Sequence, residues 1–314
     1  MAATDKKLAL QKAKFILGID GGGTKTIARL VNLTTQEQWQ ASAGSSSLSN
    51  DFSGAINVLE KLIKKVTTPS QCQLESITAV FGLAGAGNLK LVASLQQVFA
   101  SRFAQLEICS DAKTSAYGAN NGDEVAVVAL GTGSVGMRLQ YNESGELTHH
   151  LVGGWGFLIG DEGSGAKLGY YAVQTMIAEF QQYGKVHSQL AQTIASSIST
   201  AGAPLTRHDI ALWLASAKPA EFALLSPLVF QFQQSCSVAK KLLSAHAIQV
   251  ERLIDDTRAQ EGLPVVLLGG LAEPTLSLLP ISIQSLLIKP KGNALDGACL
   301  LAENLFSSKE CKIT

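Results

Sequence analysis

Three glycine-rich segments contain the residues best suited to hold phosphate: Asp20-Gly21-Gly22-Gly23-Thr24-Lys25, Gly131-Thr132-Gly133-Ser134, and Gly269-Gly270. A turn built from glycines lets successive backbone N–H groups wrap an anion with no Cβ in the way. Thr24, Lys25 and Thr132 add side-chain donors, and Gly269-Gly270 lets a flat, bulky group lie against backbone at the start of a helix. Each segment alone reads equally well as a structural turn. The three in this order, the first with an Asp-x-Gly-Gly-Thr pattern, point together to phosphate chemistry. Two literal pattern matches are set aside. Gly131–Gly136 satisfies G-x-G-x-x-G, but that dinucleotide fingerprint needs a helix directly after it, and here the continuation alternates like a strand. Gly160–Lys167 resembles a P-loop with Ala166 where the lysine belongs, and no suitable strand precedes it.

The elements that must position these turns follow from apolar patterning. Residues 15–20 and 27–31 are apolar runs flanking the first turn, a hairpin signature, and residues 125–130 and 135–139 repeat it around the second. Each hairpin ends in an Arg-Leu pair, Arg29-Leu30 and Arg138-Leu139, so the sequence reads as a duplicated domain. Between the hairpins, a strand over 77–84 runs into the loop Gly85-Ala86-Gly87. A second strand through Leu106, Ile108 and Cys109 ends at Ser110-Asp111. Helical spacing is predicted over 52–66, 89–103, 112–119, 165–182, 187–199, 208–216 and 226–247. Val265–Leu268 is a strand entering a helix through Gly269-Gly270, and the last helix, 295–306, has Gly297 and Ala298 on a side suited to close packing. Strands alternating with helices define an α/β protein.

Composition narrows the partners. With 25 basic and 25 acidic residues the formal net charge is zero, and no basic block marks a nucleic-acid or anionic membrane surface. No apolar stretch approaches the ~18 residues of a membrane span. Residues 1–13 read as a short lead-in, with Gln11 and Lys12 interrupting any signal-peptide run. Cys72, Cys109, Cys236, Cys299 and Cys311 are far apart and form no CxxC pair. The five histidines are equally scattered, so reduced thiols, no protein metal cage and a cytoplasmic location are expected.

The segment Ile19–Thr26 resembles the first phosphate motif of the actin–hexokinase–Hsp70 superfamily, Leu130–Ser134 its second, and Val266–Gly270 its adenosine motif. Ser110-Asp111-Ala112, Gly153-Gly154-Trp155-Gly156, Gly160–Gly165 and the tail Lys289–Ala298 narrow the likeness. They resemble the N-acetylglucosamine kinase and glucosamine kinase branch of the BadF/BadG/BcrA/BcrD ATPase family, over residues 14–306. The resemblance implies a two-domain actin-like (ribonuclease H-like) ATPase fold with an interdomain cleft, both domains sharing a βββαβαβα plan. Residues 14–117 plus 294–306 would form the sugar side and 118–293 the nucleotide side. ATP would meet Gly22, Gly23, Thr24, Lys25, Gly131, Thr132, Gly133, Gly269 and Gly270, with Asp20 facing Mg²⁺ through water. Asp111 would be the base that accepts the proton of a sugar hydroxyl. Ser47, Gly85, Asp111, Trp155 and Asp161 would contact the sugar, although relatives often have Asn where Ser47 falls.

Bland alternatives stand beside these roles. Asp20 reads also as a turn cap, Asp111 as a helix N-cap, Trp155 as a core filler and Glu162 as a solvated loop residue. The implied partner is a small amino sugar, N-acetylglucosamine in preference to glucosamine, phosphorylated at its 6-hydroxyl; a homodimer is compatible. Two rivals differ in class. An ATPase activator of the BadF type would hold an iron–sulfur cluster on cysteines, which the wide cysteine spacing opposes. A sugar-responsive repressor would need a DNA-binding segment, for which residues 1–13 are too short.

Overall fold

A computed structural model describes residues 15–199, 204–259 and 262–310; the lead-in over 1–13 and Cys311 lie outside them. The chain is mixed α/β and divides into two compact units. One comprises residues up to 125 with 139–149 and 289 onward, the other 126–138 and 150–288. No helix among the described residues is long and apolar enough to cross a membrane.

In the first unit the run FILGIDG forms β1 (Phe15–Gly21), buried along most of its length as a central strand requires. It pairs antiparallel with β2 (Thr26–Asn32), which pairs with β3 (Gln38–Ala43). β4 (Ile77–Leu83) and β5 (Gln105–Ser110) continue the sheet in parallel, giving the order β3-β2-β1-β4-β5. β3 escapes sequence reading because it is an edge strand whose residues alternate between exposed and half-buried. Helices α1 (Phe52–Ser70), α2 (Leu89–Phe99) and α3 (Asp111–Ala119) fill the crossovers. α1 buries Ala55, Leu59, Leu62, Ile63 and Val66 on one stripe against the sheet. Phe81 of β4 meets Phe99 and Phe103 edge-on, with ring centroids 5.7 and 5.8 Å apart. The helix Ala294–Glu310 closes this unit against α3 and β1. Its small residues do what their type suggests: a Cβ on Gly297 would overlap the Thr114 carbonyl of α3.

The second unit repeats the opening. β6 (Val125–Leu130), β7 (Ser134–Tyr141), β8 (Leu147–Gly153) and β9 (Val265–Leu268) take the order β8-β7-β6-β9, with β6 and β9 parallel. The expected plan is incomplete here, because the position of a fifth strand is reduced to one parallel bridge between Val265 and Leu287. The intervening helices are α4 (Gly165–Tyr183), α5 (Gln189–Ile198), α6 (Arg207–Ser216), α7 (Pro219–Ala223), α8 (Ser226–Gln231) and α9 (Ser237–Arg258). α10 (Ala272–Leu276) and α11 (Ile281–Gln284) follow β9.

The single helix predicted over 226–247 is two helices, α8 and α9. The Phe232 carbonyl accepts the N–H groups of Ser235 and Cys236, a turn in place of helix. The break lets Phe230 lie edge-on to His246, centroids 5.9 Å apart. A continuous helix would hold those residues about 24 Å apart along its axis.

His246 is 2% exposed, with Nε2 2.9 Å from the Thr275 hydroxyl, so it ties α9 to α10. Burial pushes its pKa down to about 4. The unfolded chain takes up this proton near the ordinary histidine value, about 6.5. Stability is therefore complete above that pH and declines as the pH falls toward the folded value, by at most about 3 kcal/mol. Urea midpoints at pH 7 and pH 4.5 should show the decline, and His246→Gln should flatten it. Equal pH sensitivity in the variant would remove His246 as the cause.

Candidate active site

The parallel register of β1, β4 and β5 brings the acidic candidates of the first unit to one end of its sheet. Asp20 pairs with Gly82 of β4, and Leu83 pairs with Ser110, which immediately precedes Asp111. Two strand spacings separate such positions by about 10 Å. Gly82 lies between them without a side chain, and a Cβ there would overlap Thr114 of α3. The charge of Asp111 reaches Asp20. Burial pushes the Asp20 carboxyl up, and the charge of Asp111 pushes it further. Burial likewise raises Asp111, against the opposing pull of the Ala112 N–H, which its Oδ1 accepts at 2.9 Å. No ion pair among the described residues involves either group; Lys113 is taken by Glu107 at 2.7 Å.

The helix-cap reading of Asp111 is settled by geometry. Ser110 is the N-cap of α3, its Oγ accepting from the Lys113 N–H at 3.2 Å, and Asp111 is the first helical residue. Asp20 sits within β1 and caps no turn.

The turn after β1 closes through the Gly22 N–H on the Lys25 carbonyl at 3.0 Å, leaving Gly23, Thr24 and Lys25 exposed. Residues 44–49 are stitched to it. Thr26 donates to the Gly44 carbonyl at 2.7 Å and is hydrogen-bonded to the Ser46 hydroxyl at 2.8 Å, and the Ser46 N–H reaches the Gly22 carbonyl at 3.2 Å. The Leu48 N–H donates to the Ala84 carbonyl at 2.9 Å, and Gly85, at φ +87°, leaves the space that Ser49 occupies. Buried Ser47 and Gly85 thus lie in one loop cluster beside the Asp20 turn. Thr26 and Ser46 hold the cluster together, and Ser49 fills the space beside Gly85.

In the second unit the turn Gly131–Gly133 is fastened from three directions. The Gly131 N–H reaches the Gly133 carbonyl at 2.9 Å. The Gly165 and Ala166 N–H groups at the start of α4 reach the Gly131 and Thr132 carbonyls at 2.8 and 3.1 Å. From the segment that follows β9 the Leu271 N–H donates to the Leu130 carbonyl at 3.1 Å. The Thr132 side chain is exposed and makes no hydrogen bond among the described residues.

Asp161 belongs to this turn. At φ +63°, its Oδ2 stands 2.8 Å from where a Cβ on Gly133 would be. Burial raises its pKa, against the opposing pull of the Gly156 and Ser134 N–H groups. The next residues are pinned too: Ser134 donates to the Glu162 carbonyl at 2.7 Å, and the Gly163 N–H to Gln249 Oε1 at 3.0 Å. Trp155 is 78% exposed, which rules out the core-filling role. Its neighbour Phe157 is the core aromatic, stacked on Phe222 at 5.4 Å.

The donor set fits Mg²⁺ better than a buried protein cage would. Among the described residues no three His, Cys, Asp or Glu side chains gather as a metal site. Asp20 offers a carboxylate with no hydrogen-bond or ion-pair partner among the described residues, within reach of the charge of Asp111. A hard cation that keeps its water and shares phosphate oxygens suits such a position.

Two units that each open with a hairpin around a glycine turn, followed by parallel strands, make this an actin-like ATPase fold. The chain belongs to the BadF/BadG/BcrA/BcrD ATPase family, whose sequence profile matches residues 17–299. It is 28% identical over 298 residues to the glucosamine kinase GspK of Vibrio cholerae serotype O1, covering 92% of this chain and 95% of that one. With the N-acetyl-D-glucosamine kinase of Dictyostelium discoideum it shares 28% identity over 281 residues, 82% of this chain and 85% of the other. The crystal structure of a Chromobacterium violaceum protein assigned as an N-acetylglucosamine kinase superposes with a TM-score of 0.80 at 29% identity, over 93% of this chain and 99% of that chain.

Proposed function

We propose that the protein is an ATP-dependent hexosamine kinase that transfers the γ-phosphoryl group of ATP to the 6-hydroxyl of N-acetylglucosamine. The observation that carries the reading is the pair of half-buried aspartates at one end of the first sheet, Asp20 and Asp111, both raised in pKa and neither neutralised by a cation among the described residues. Relatives named as glucosamine and N-acetylglucosamine kinases support it.

In this reading Asp111 accepts the proton of the sugar hydroxyl as the phosphorus–oxygen bond to that hydroxyl forms and ADP departs. Its raised pKa brings it nearer to the operating pH than an ordinary aspartate. Asp20 holds hydrated Mg²⁺, which when bound offsets the charge on the phosphates. The N–H groups and hydroxyls of residues 22–25 and 131–133 cradle the phosphates, and Gly269-Gly270 lies under the adenosine. Ser47, Gly85, Asp111, Trp155 and Asp161 are assigned to the sugar, and Trp155, being exposed, is free to stack on a ring face. A cytoplasmic homodimer is part of the same reading, and sizing by light scattering tests the assembly.

An assay of ADP release over N-acetylglucosamine, glucosamine, glucose and no sugar should show sugar-dependent turnover, with the product phosphate located by NMR. Equal ATP hydrolysis with and without sugar would favour an ATPase activator instead. Thr132→Val keeps the shape of the second turn and removes its hydroxyl, so nucleotide binding should weaken by about 1–3 kcal/mol, the worth of a donor to a charged group. Unchanged calorimetric affinities for ATP and ADP, together with unchanged kcat, would remove this turn from the phosphate site.

A further inference from the structure

In the first unit a cavity of about 730 Å³ runs along α1 where that helix passes the end of the edge strand β3. Its floor is apolar, formed by half-buried Ala43 and Val58 with the ring of Pro69. It is open at Gly44, where an added Cβ would meet nothing within 4 Å. Its rim is cationic. Lys61, Lys64 and Lys65 line it, all exposed, and Lys61 stands three and four residues before the other two, so the ammonium groups share adjoining turns. Like charges four residues apart oppose helix formation unless an anion answers them. The chain supplies none there. The one acid of α1, Glu60, is held by Arg102 at 3.0 Å, and no ion pair among the described residues includes these lysines. Lys65 donates to the Ser42 carbonyl of β3 at 3.3 Å, whereas the Lys61 and Lys64 side chains make no hydrogen bond among the described residues.

We propose that this groove is an effector site for an organic phosphate, a small molecule with a phosphate monoester head and an apolar body. Ammonium groups on flexible stems bind a phosphate as point charges, and a dianion matches several of them better than a carboxylate does. The floor of Ala43, Val58 and Pro69 calls for an apolar body behind that head. The volume lies within the range of about 300–1,000 Å³ of small-molecule sites. An extended peptide is the poorer guest, because Lys65 lies over the edge strand, where a lysine opposes the addition of a further strand. The groove reaches the phosphate turn of this unit through Ala43 and Gly44. Ala43 pairs with Thr26 in the ladder, and the Gly44 carbonyl accepts the Thr26 hydroxyl at 2.7 Å. Thr26 directly follows the turn Gly22–Lys25, and the Ser46 N–H closes on the Gly22 carbonyl at 3.2 Å. A ligand that shifts Ala43 and Gly44 therefore shifts the turn, and nucleotide affinity with it.

Calorimetry with naphthyl phosphate on the full chain tests this, with naphthol and inorganic phosphate as probes that each lack one half of the ligand. Naphthyl phosphate should bind more tightly than either, and more weakly as salt is raised, because exposed charges are screened. Lys61→Gln/Lys64→Gln retains good helix formers and should weaken that binding by about tenfold or more, the worth of charge-assisted hydrogen bonds to phosphate. Its Tm should not fall, since a like-charge contact with Lys65 is relieved. In wild type, ADP should change the affinity for naphthyl phosphate by a finite factor of about 5–150, and the probe should change the affinity for ADP by the same factor. Four results overturn the proposal. The first is equal binding, or none, in wild type and the double variant. The second is inorganic phosphate bound as tightly as naphthyl phosphate, which would mean an adventitious ion only. The third is independent binding of ADP and the probe. The fourth is complete displacement of the probe by excess ADP, which would put it on the phosphate turns. Neither measurement requires turnover, so failure of the kinase reading leaves this test intact.

Discussion

Asp111→Asn is expected to lower kcat by about 10²–10⁴, the usual contribution of a positioned general base, while ATP and sugar still bind. Asparagine has nearly the same shape and can still accept the Ala112 N–H, and the helix keeps its true cap, Ser110. The loss is therefore confined to the proton. Two further readouts separate this from a structural role. First, burial raises the Asp111 pKa, so the acid limb of the kcat/KM profile should lie above the range of an ordinary aspartate. Activity is lost as pH falls through that raised value, because a protonated carboxyl cannot accept another proton. The variant should have no such limb. Second, a carboxyl whose pKa is higher folded than unfolded adds stability only at low pH and opposes folding where it is ionised. Asp111→Asn should accordingly melt at or above the wild-type temperature at pH 7. Near-normal turnover, or a marked fall in Tm, would make Asp111 a structural residue.

Gly269→Ala should cost about 3 kcal/mol of stability, combining backbone strain with a steric overlap. The residue sits at φ +93°, which side-chain-bearing residues rarely adopt, and its missing Cβ is the space taken by the Leu130 carbonyl. That carbonyl also receives the Leu271 N–H and directly precedes the Gly131 turn. Relief of the overlap must push the end of β6 away from β9 and disturb the turn proposed to hold phosphate, so calorimetry should show weaker nucleotide binding alongside the lowered Tm. Gly184→Ala is the control. It has φ +69° but nothing within 4 Å of an added Cβ, so it should show strain alone, about 1 kcal/mol. Equal effects at both positions would mean that the packing of Gly269 on Leu130 is unimportant.

What the sequence determined by itself is what local chemistry encodes. Apolar runs broken by glycines place the hairpins Phe15–Gly21 with Thr26–Asn32 and Val125–Leu130 with Ser134–Tyr141, because a turn is specified by the few residues within it. The repeated turns, together with Ser110-Asp111 and Gly160–Gly165, also point to the family. The small face of the last helix was legible for the same reason, since Gly297 has no side chain to hold the helix away from α3.

Tertiary structure decided whatever depends on residues distant in sequence. The coupling of Asp20 to Asp111 comes from the β1–β4–β5 register, which burial enforces and no local pattern states. Ser110 rather than Asp111 caps α3, a choice between adjacent good caps made by side-chain direction. Edge strands β3 and β8 have mostly exposed or half-buried residues and so lack the apolar signature of central ones. The helix predicted over 226–247 breaks because packing Phe230 against His246 requires the chain to turn back. Gln249, one polar residue on a long helix, becomes interpretable only when its oxygen is seen to accept the Gly163 N–H.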